Sequence, residues 1–246
     1  MFRRIVDVCD IDDAPSASFD TRGSVSAVEA GFLAELGPAA REVLAALGTH
    51  RSFDAGAPLF LEGDVGGYVM ILHSGHVKVF AASHDGGGVL LAVRGPGDVL
   101  GDLSAIDREP RSASGTTLEP VDAQIITGDD FRTFLADTPG AGLALLRVVV
   151  ARMRDSDRLR VEFGARDILG RVAMRLVELA RTAGEQNDGA IRITVPLTQD
   201  DLAGWVAASR EAVARSLASL RQRGFITTAR REITIIDFDG LREATR

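Results

Sequence analysis

The sequence predicts an α+β chain in three parts: a compact β-roll of the jelly-roll kind, one long helix, and a helical unit closed by a hairpin. Three observations predict it. Over residues 51–127, apolar runs of five to eight residues alternate with turns rich in Gly, Pro, Asp and Ser. Short, evenly spaced strands with such turns are the pattern of a small barrel or roll. Over residues 140–163, apolar residues recur at spacings of three and four, as on a helix with one buried seam. Over residues 198–236, two capped amphipathic segments precede a β-branched stretch.

Composition bounds the rest. The chain has 246 residues, 46% hydrophobic and 26% charged, with one cysteine, Cys9. The length suits one large domain or two ordinary ones, and the proportions are those of a folded soluble protein. A single cysteine excludes intrachain disulfides and cysteine-ligated iron–sulfur clusters. No apolar run approaches the roughly 20 residues that a spanning helix needs. Arg3 and Arg4 are not followed by the apolar core of a secretory leader, so a cytoplasmic protein is expected.

In chain order, residues 1–27 are acidic, rich in Ser, Ala and Gly, and aperiodic; they read as a mobile extension. Residues 28–138 form the roll domain, opening with one or two short helices broken at Gly37-Pro38 and closing with a short helix capped by Asp129 or Asp130. Residues 139–165 are the long helix. One seam on it is Leu146, Val149, Met153, Ser156, Arg160 and Phe163; a register through Leu143, Leu146, Val150, Met153 and Asp157 fits equally well. A second copy of the chain is the simplest partner for such a seam. Residues 166–246 begin with a helix carrying Ile168, Val172, Leu176 and Leu179 on one face and stopped by Gly184, followed by a glycine-rich loop and a strand at 190–195.

The last unit carries the first functional signal. Thr198 is placed as an N-cap with Asp201 three residues on, and Ser209 as the N-cap of a second helix that Gly224 ends. Val213, Leu217 and Leu220 share one face of that helix; Arg210, Glu211 and Arg215 lie elsewhere, near its start. A hairpin follows. Two short helices with a tight turn and a wing make a winged helix-turn-helix. The chain's net charge is −7, yet residues 209–231 hold six arginines against one acid, Glu211. Solvated faces usually mix signs, whereas phosphate contact needs local positive charge. Arginine can take guanine N7 and O6 with two parallel N–H bonds, and glutamate can accept from cytosine N4. Arg221, Arg223, Arg230 and Arg231 would fix position on phosphates.

The stretch "SREAVARSLASLRQRGFI", with "GRVA", "LTQDDLA" and "PRSASGTT", resembles the Crp/Fnr transcription regulators, in particular actinobacterial cyclic AMP receptor-like proteins. The resemblance spans about residues 28–238. It implies a cyclic-nucleotide-binding β-roll, a dimerisation helix and a DNA-binding winged helix-turn-helix. It further implies that Arg210, Glu211 and Arg215 read bases in a two-fold palindrome of TGTGA-like half-sites. Thr198 and Ser209 would contact the DNA backbone, and RNA polymerase is an expected partner. Where the family usually has glycine in the turn before the second helix, this chain has Ala207.

The resemblance also gives "GDLSAIDREPRSASG" a role as a phosphate-binding cassette made of Gly101, Asp102, the short helix from Leu103, Arg111 and Ser112. It implies that Arg111 pairs with the cyclic phosphate, that Ser112 adds a bond, and that Asp102 accepts from the ribose 2′-hydroxyl. An arginine fork suits phosphate oxygens, and small residues let backbone N–H groups approach an anion. The family usually has the longer glutamate at Asp102. At the base end the long helix offers Ser156-Asp157, and Ser156 can bond to an adenine amino group. Cyclic AMP is the expected ligand, then another cyclic nucleotide.

Two readings stand beside this one. One is the same fold with no nucleotide switch; the other is a nucleotide-binding module acting through protein partners. His73 and His76 would face opposite sides of a strand, so no metal is expected, and the sequence shows no catalytic constellation.

Overall fold

The computed structural model describes residues 31–82, 88–229 and 231–245, the side chains of 162 and 163 excepted. The extension at 1–27 with Cys9 and the phosphate-contact candidate Arg230 lie outside the described residues, as does the side chain at the seam position Phe163.

The two short helices at the start are α1 (Gly31–Glu35) and α2 (Pro38–Ala45), separated at Gly37 as Pro38 occupies the first turn. The roll is built from β1 (Thr49–Phe53), β2 (Pro58–Phe60), β3 (Tyr68–Ser74), β4 (Val77–Ala82), β5 (Gly88–Arg94), β6 (Val99–Leu100), then α3 (Asp102–Asp107), β7 (Ser114–Thr117) and β8 (Val121–Thr127). They form two four-stranded sheets, ordered β1-β8-β3-β6 and β2-β7-β4-β5. Every pairing is antiparallel. Leu59, Phe60, Met70, Leu72, Val77, Leu100, Val121 and Ala123 fill the space between them.

After the roll come α4 (Gly128–Asp137) and the long α5 (Ala141–Ala165). The cap of α4 is Thr127, whose hydroxyl accepts from the Asp130 N–H, and not Asp129 or Asp130 as expected. Both acids sit in the first turn instead, where the helix dipole favours them. Ala141, Ala144, Leu145 and Val148 of α5 pack onto Phe32, Phe131 and Phe134. The opposite side stays exposed at Leu143, Leu146, Met153 and Val161.

The C-terminal unit comprises α6 (Ile168–Ala183), β9 (Gly184–Asn187), β10 (Ala190–Ile193), α7 (Gln199–Val206), α8 (Arg210–Gln222), β11 (Ile226–Ala229), β12 (Glu232–Ile235) and α9 (Phe238–Glu243). The expected glycine-rich loop after Gly184 is largely a strand. β9 pairs with β10, and β10 pairs with β12, so the wing hairpin β11–β12 belongs to a four-stranded sheet, β11-β12-β10-β9.

The two halves share packing. Leu90 of β5 lies in one buried cluster with Leu202, Trp205 and Val206 of α7, and Phe80, Val93 and Leu118 of the roll pack against it. Lys78 of β4 pairs with Asp201 of α7 at 2.7 Å. Among the described residues no single helix is long and apolar enough to cross a membrane.

Candidate ligand pocket and DNA-facing helix

At the roll end, Gly101 takes φ +77° to turn β6 into α3. A Cβ there would lie 1.9 Å from Arg111 Nη1, so the close approach of the guanidinium requires glycine. Asp102 opens α3 and is 3% exposed; Arg111 is 4% exposed. Arg111 Nη1 donates to the Gly101 carbonyl at 3.0 Å and to Ser104 Oγ at 2.9 Å. Its Nη2 donates to the Tyr68 carbonyl at 2.6 Å. The guanidinium sits 4.9 Å from the Phe60 ring centroid and 4.7 Å from that of Tyr68. A buried charge survives only when hydrogen-bonded and paired or stacked in this way.

Asp102 does not face Arg111. Arg152 of α5 donates through Nη1 to both Asp102 oxygens, at 3.0 and 3.3 Å, and through Nη2 to the Val99 carbonyl at 2.9 Å. Asp98 lies 3.7 Å from the same guanidinium. Arg152 Nε is buried with no hydrogen-bond partner among the described groups. Nearby, burial and then repulsion from Arg152 lower the pKa of Arg94, against attraction from Asp98, Asp102 and Glu178.

Arg152 was not singled out in the sequence. The signal was its position one helical turn before Ser156, which puts both on one face of α5. Leu103, Ser112, Ser156 and Asp157 are exposed, and Asp157 pairs with Arg160 at 3.3 Å. The structure therefore brings Gly101, Asp102 and Arg111 together at one end of α3, adds Arg152, and leaves Ser112 and Ser156 on the surface.

At the other end, Thr198 and Asp201 form a reciprocal capping box on α7. The Asp201 N–H donates to Thr198 Oγ1 at 3.0 Å and the Thr198 N–H to Asp201 Oδ2 at 2.9 Å. The Asp201 carboxyl is pushed up by burial, but hydrogen bonds from Lys78 and from the Thr198 hydroxyl and N–H outweigh it and hold it below the ordinary aspartate value. Ala207 adopts φ +47°, ψ +58°, so the turn keeps its left-handed geometry without the usual glycine. Ser209 caps α8, its hydroxyl accepting from the Ala212 N–H at 3.2 Å.

Val213, Leu217 and Leu220 anchor α8 in the core, while Arg210, Glu211 and Arg215 are exposed at its start. Backbone and Ser209 hydrogen bonds, with Arg210 and Arg215 nearby, hold the Glu211 carboxyl below its usual value. Arg223 and Arg231 are exposed; Arg221 instead donates to Thr228 Oγ1 at 2.8 Å, tying α8 to the wing.

His73, in β3, lies against His50 with ring centroids 5.0 Å apart and the rings tilted, while His76, beyond the end of β3, has its Nδ1 2.6 Å from Glu119. Among the described residues no group of three or more side chains is placed to hold a metal ion.

Comparison with known proteins fits this arrangement. Residues 50–138 match the cyclic nucleotide-binding domain and residues 170–244 the Crp-like helix-turn-helix domain. The chain is 38% identical, over 79% of its length and 87% of the relative's, to the CRP-like cAMP-activated global transcriptional regulator of Mycobacterium tuberculosis. It belongs to the Crp/Fnr family of transcription regulators. Another relative in this family is the cyclic AMP receptor protein of Thermus thermophilus, 29% identical over 72% of this chain and 78% of the relative. A similar fold is seen in FixK2 from Bradyrhizobium japonicum, with a TM-score of 0.71 at 18% identity, covering 81% of this chain and 98% of that one.

Proposed function

We propose that the protein is a cytoplasmic, homodimeric regulator that binds a two-fold DNA palindrome under control of a cyclic nucleotide, with cyclic AMP the effector. The observation that carries the reading is the double role of α5. Its Arg152 holds the acid of the cassette, while Leu143, Leu146 and Met153 leave an apolar stripe open for a partner copy. A change at Asp102 thus acts on the element that would form the dimer. The cyclic AMP-activated Mycobacterium relative supports the choice of effector.

The residues present fit such a ligand. Arg111 would supply a fixed fork to the phosphate, and Gly101 keeps the backbone close around it. Asp102 would share its oxygens between Arg152 and a ribose hydroxyl, and Ser156 would meet the base from α5. A ligand acting there would shift a two-state equilibrium in how the two α8 helices are spaced. Each α8 would then place Arg210, Glu211 and Arg215 in the major groove of a TGTGA-like half-site, with Thr198 and Ser209 on the backbone. Contact with RNA polymerase would follow DNA binding.

A second reading is a regulator of the same fold that needs no nucleotide. It is favoured by one observation: Arg111 and Asp102 already spend hydrogen bonds on the protein itself. Titration calorimetry with cyclic AMP and cyclic GMP separates the two. Heat and thermal stabilisation with cyclic AMP support the first; none with either nucleotide supports the second.

A further inference from the structure

The outer face of the β1-β8-β3 sheet carries two histidines that neither the cassette nor α8 uses. Val121 and Ala123 of β8 turn into the roll core, so Asp122 and Gln124 face outward. On β1, His50 stands opposite Gln124 and Ser52 opposite Asp122, on the same face. On β3, Leu72 stands opposite Ala123 and Ser74 opposite Asp122, so His73 is the extra residue of a β-bulge. β1 and β3 flank β8 and lie about 9–10 Å apart. The rings of His50 and His73 nevertheless come within 5.0 Å between centroids, over the middle strand. A bulge re-aims a side chain, and this one sends His73 toward His50.

The groups around the pair hold it in place. Gln124 is 1% exposed, and its Nε2 donates to the carbonyls of Leu44 and Leu47 at the end of α2. Both of its N–H groups are thus spent, and its oxygen accepts from the His73 ring. A ring N–H fixed on an acceptor fixes the tautomer, so the other nitrogen of His73 carries the lone pair. Asp122 accepts from Ser52 Oγ at 2.6 Å and from Ser74 Oγ at 3.0 Å, which keeps a carboxylate near both rings.

We propose that His50 and His73 form a two-histidine site for one late-transition divalent cation: zinc, nickel or copper. Neutral imidazole is a ligand these ions favour. With zinc–nitrogen bonds of about 2.0–2.1 Å and a tetrahedral angle, two rings on one ion have centroids roughly 5 Å apart. That is the separation of His50 and His73. Among the described residues no third side chain completes the set, so water takes the remaining positions. Magnesium and calcium, which take oxygen ligands, would not be held. His76 is bonded to Glu119 and plays no part. A cation in this site would clasp β1 to β3 over β8. The inference is independent of the nucleotide and DNA readings.

Titration calorimetry of the full chain with zinc chloride tests it, in a Cys9→Ser background that removes the only thiol. The electron paramagnetic resonance spectrum of the copper-loaded protein counts the nitrogen ligands. One zinc per chain and a two-nitrogen copper spectrum are expected. His50→Gln and His73→Gln should each weaken zinc binding by at least about tenfold and remove the two-nitrogen splitting. His76→Gln should bind like the parent. Both His50 and His73 are exposed, so the metal-free melting temperature of their variants should stay near parental. Saturating zinc should raise the parent's melting temperature by a few degrees, and neither variant should show that rise. Absence of zinc binding in the parent, or parental affinity in either His50→Gln or His73→Gln, overturns the proposal. An equal loss in His76→Gln overturns the pairing of His50 with His73.

Discussion

The two ends of the molecule treat their arginines in opposite ways. Arg111 in the roll is buried, stacked between two rings and bonded to two carbonyls and a hydroxyl. Arg210 and Arg215 at the start of α8 are exposed, and the nearest partner of Arg210 is Asp200 at 3.9 Å. A buried arginine is held in place before any ligand arrives, so its geometry is fixed and its remaining N–H groups are aimed. An exposed one is free to adapt to a base edge, and its charge is available to release counterions from DNA. Under the proposed function, the first arrangement would suit one small anion and the second a DNA surface reached by diffusion.

The comparison can be broken most sharply at Gly101. Gly101→Ala puts a methyl group 1.9 Å from Arg111 Nη1 in a left-handed backbone. Strain of about 1–2 kcal/mol from the backbone alone, with the overlap added, should lower the melting temperature and abolish cyclic nucleotide binding. Thermal unfolding with and without cyclic AMP checks both. Arg210→Ala should do the reverse, leaving stability and nucleotide binding near parental while weakening palindrome binding by about 1–3 kcal/mol, read in a gel shift against a half-site variant.

Ala207→Gly tests a local cost that neither end needs. The left-handed alanine should release about 1 kcal/mol when replaced, raising the melting temperature by roughly 2–4 °C for a chain of this size. An unchanged or lower melting temperature would show that the turn is not strained.

The smallest expected effect is that of pH on the contact between the halves. Asp201 has a lowered pKa, so its contribution is complete above the unfolded aspartate value of about 4 and is lost as pH falls through the lower docked value. The fluorescence of Trp205, the only tryptophan and a buried residue of α7, should stay constant from pH 8 to about 5 and redden only in acid. A change near neutrality would place the sensitive group elsewhere.

Much of this was legible in the sequence, for identifiable reasons. Short apolar runs between glycine-rich turns marked the roll, the three-four spacing marked α5, and Thr198 with Asp201 and Ser209 marked α7 and α8 because capping is local chemistry. β9 was missed because "GEQN" has no alternating pattern; it is a strand through its pairing with β10. Thr127 was passed over as the cap of α4 in favour of the two acids after Gly128, although its hydroxyl is the group that reaches the orphan N–H. At the candidate site, Gly101, Asp102 and Arg111 were named, yet Arg152 was not. Its role depends on how α5 crosses the cassette 50 residues away. The close approach of Gly204 in α7 to β5, where a Cβ would fall 2.7 Å from the Gly88 carbonyl oxygen, was hidden for the same reason.

The most direct test of the central claim is the affinity of the full-length protein for a duplex with two inverted TGTGA half-sites, measured at one fixed salt concentration with and without saturating cyclic AMP. Tighter binding with cyclic AMP, by about tenfold or more, and loss of that difference in a variant with Arg111 replaced by glutamine, is the predicted result. Equal affinity in the presence and absence of the nucleotide would contradict the account.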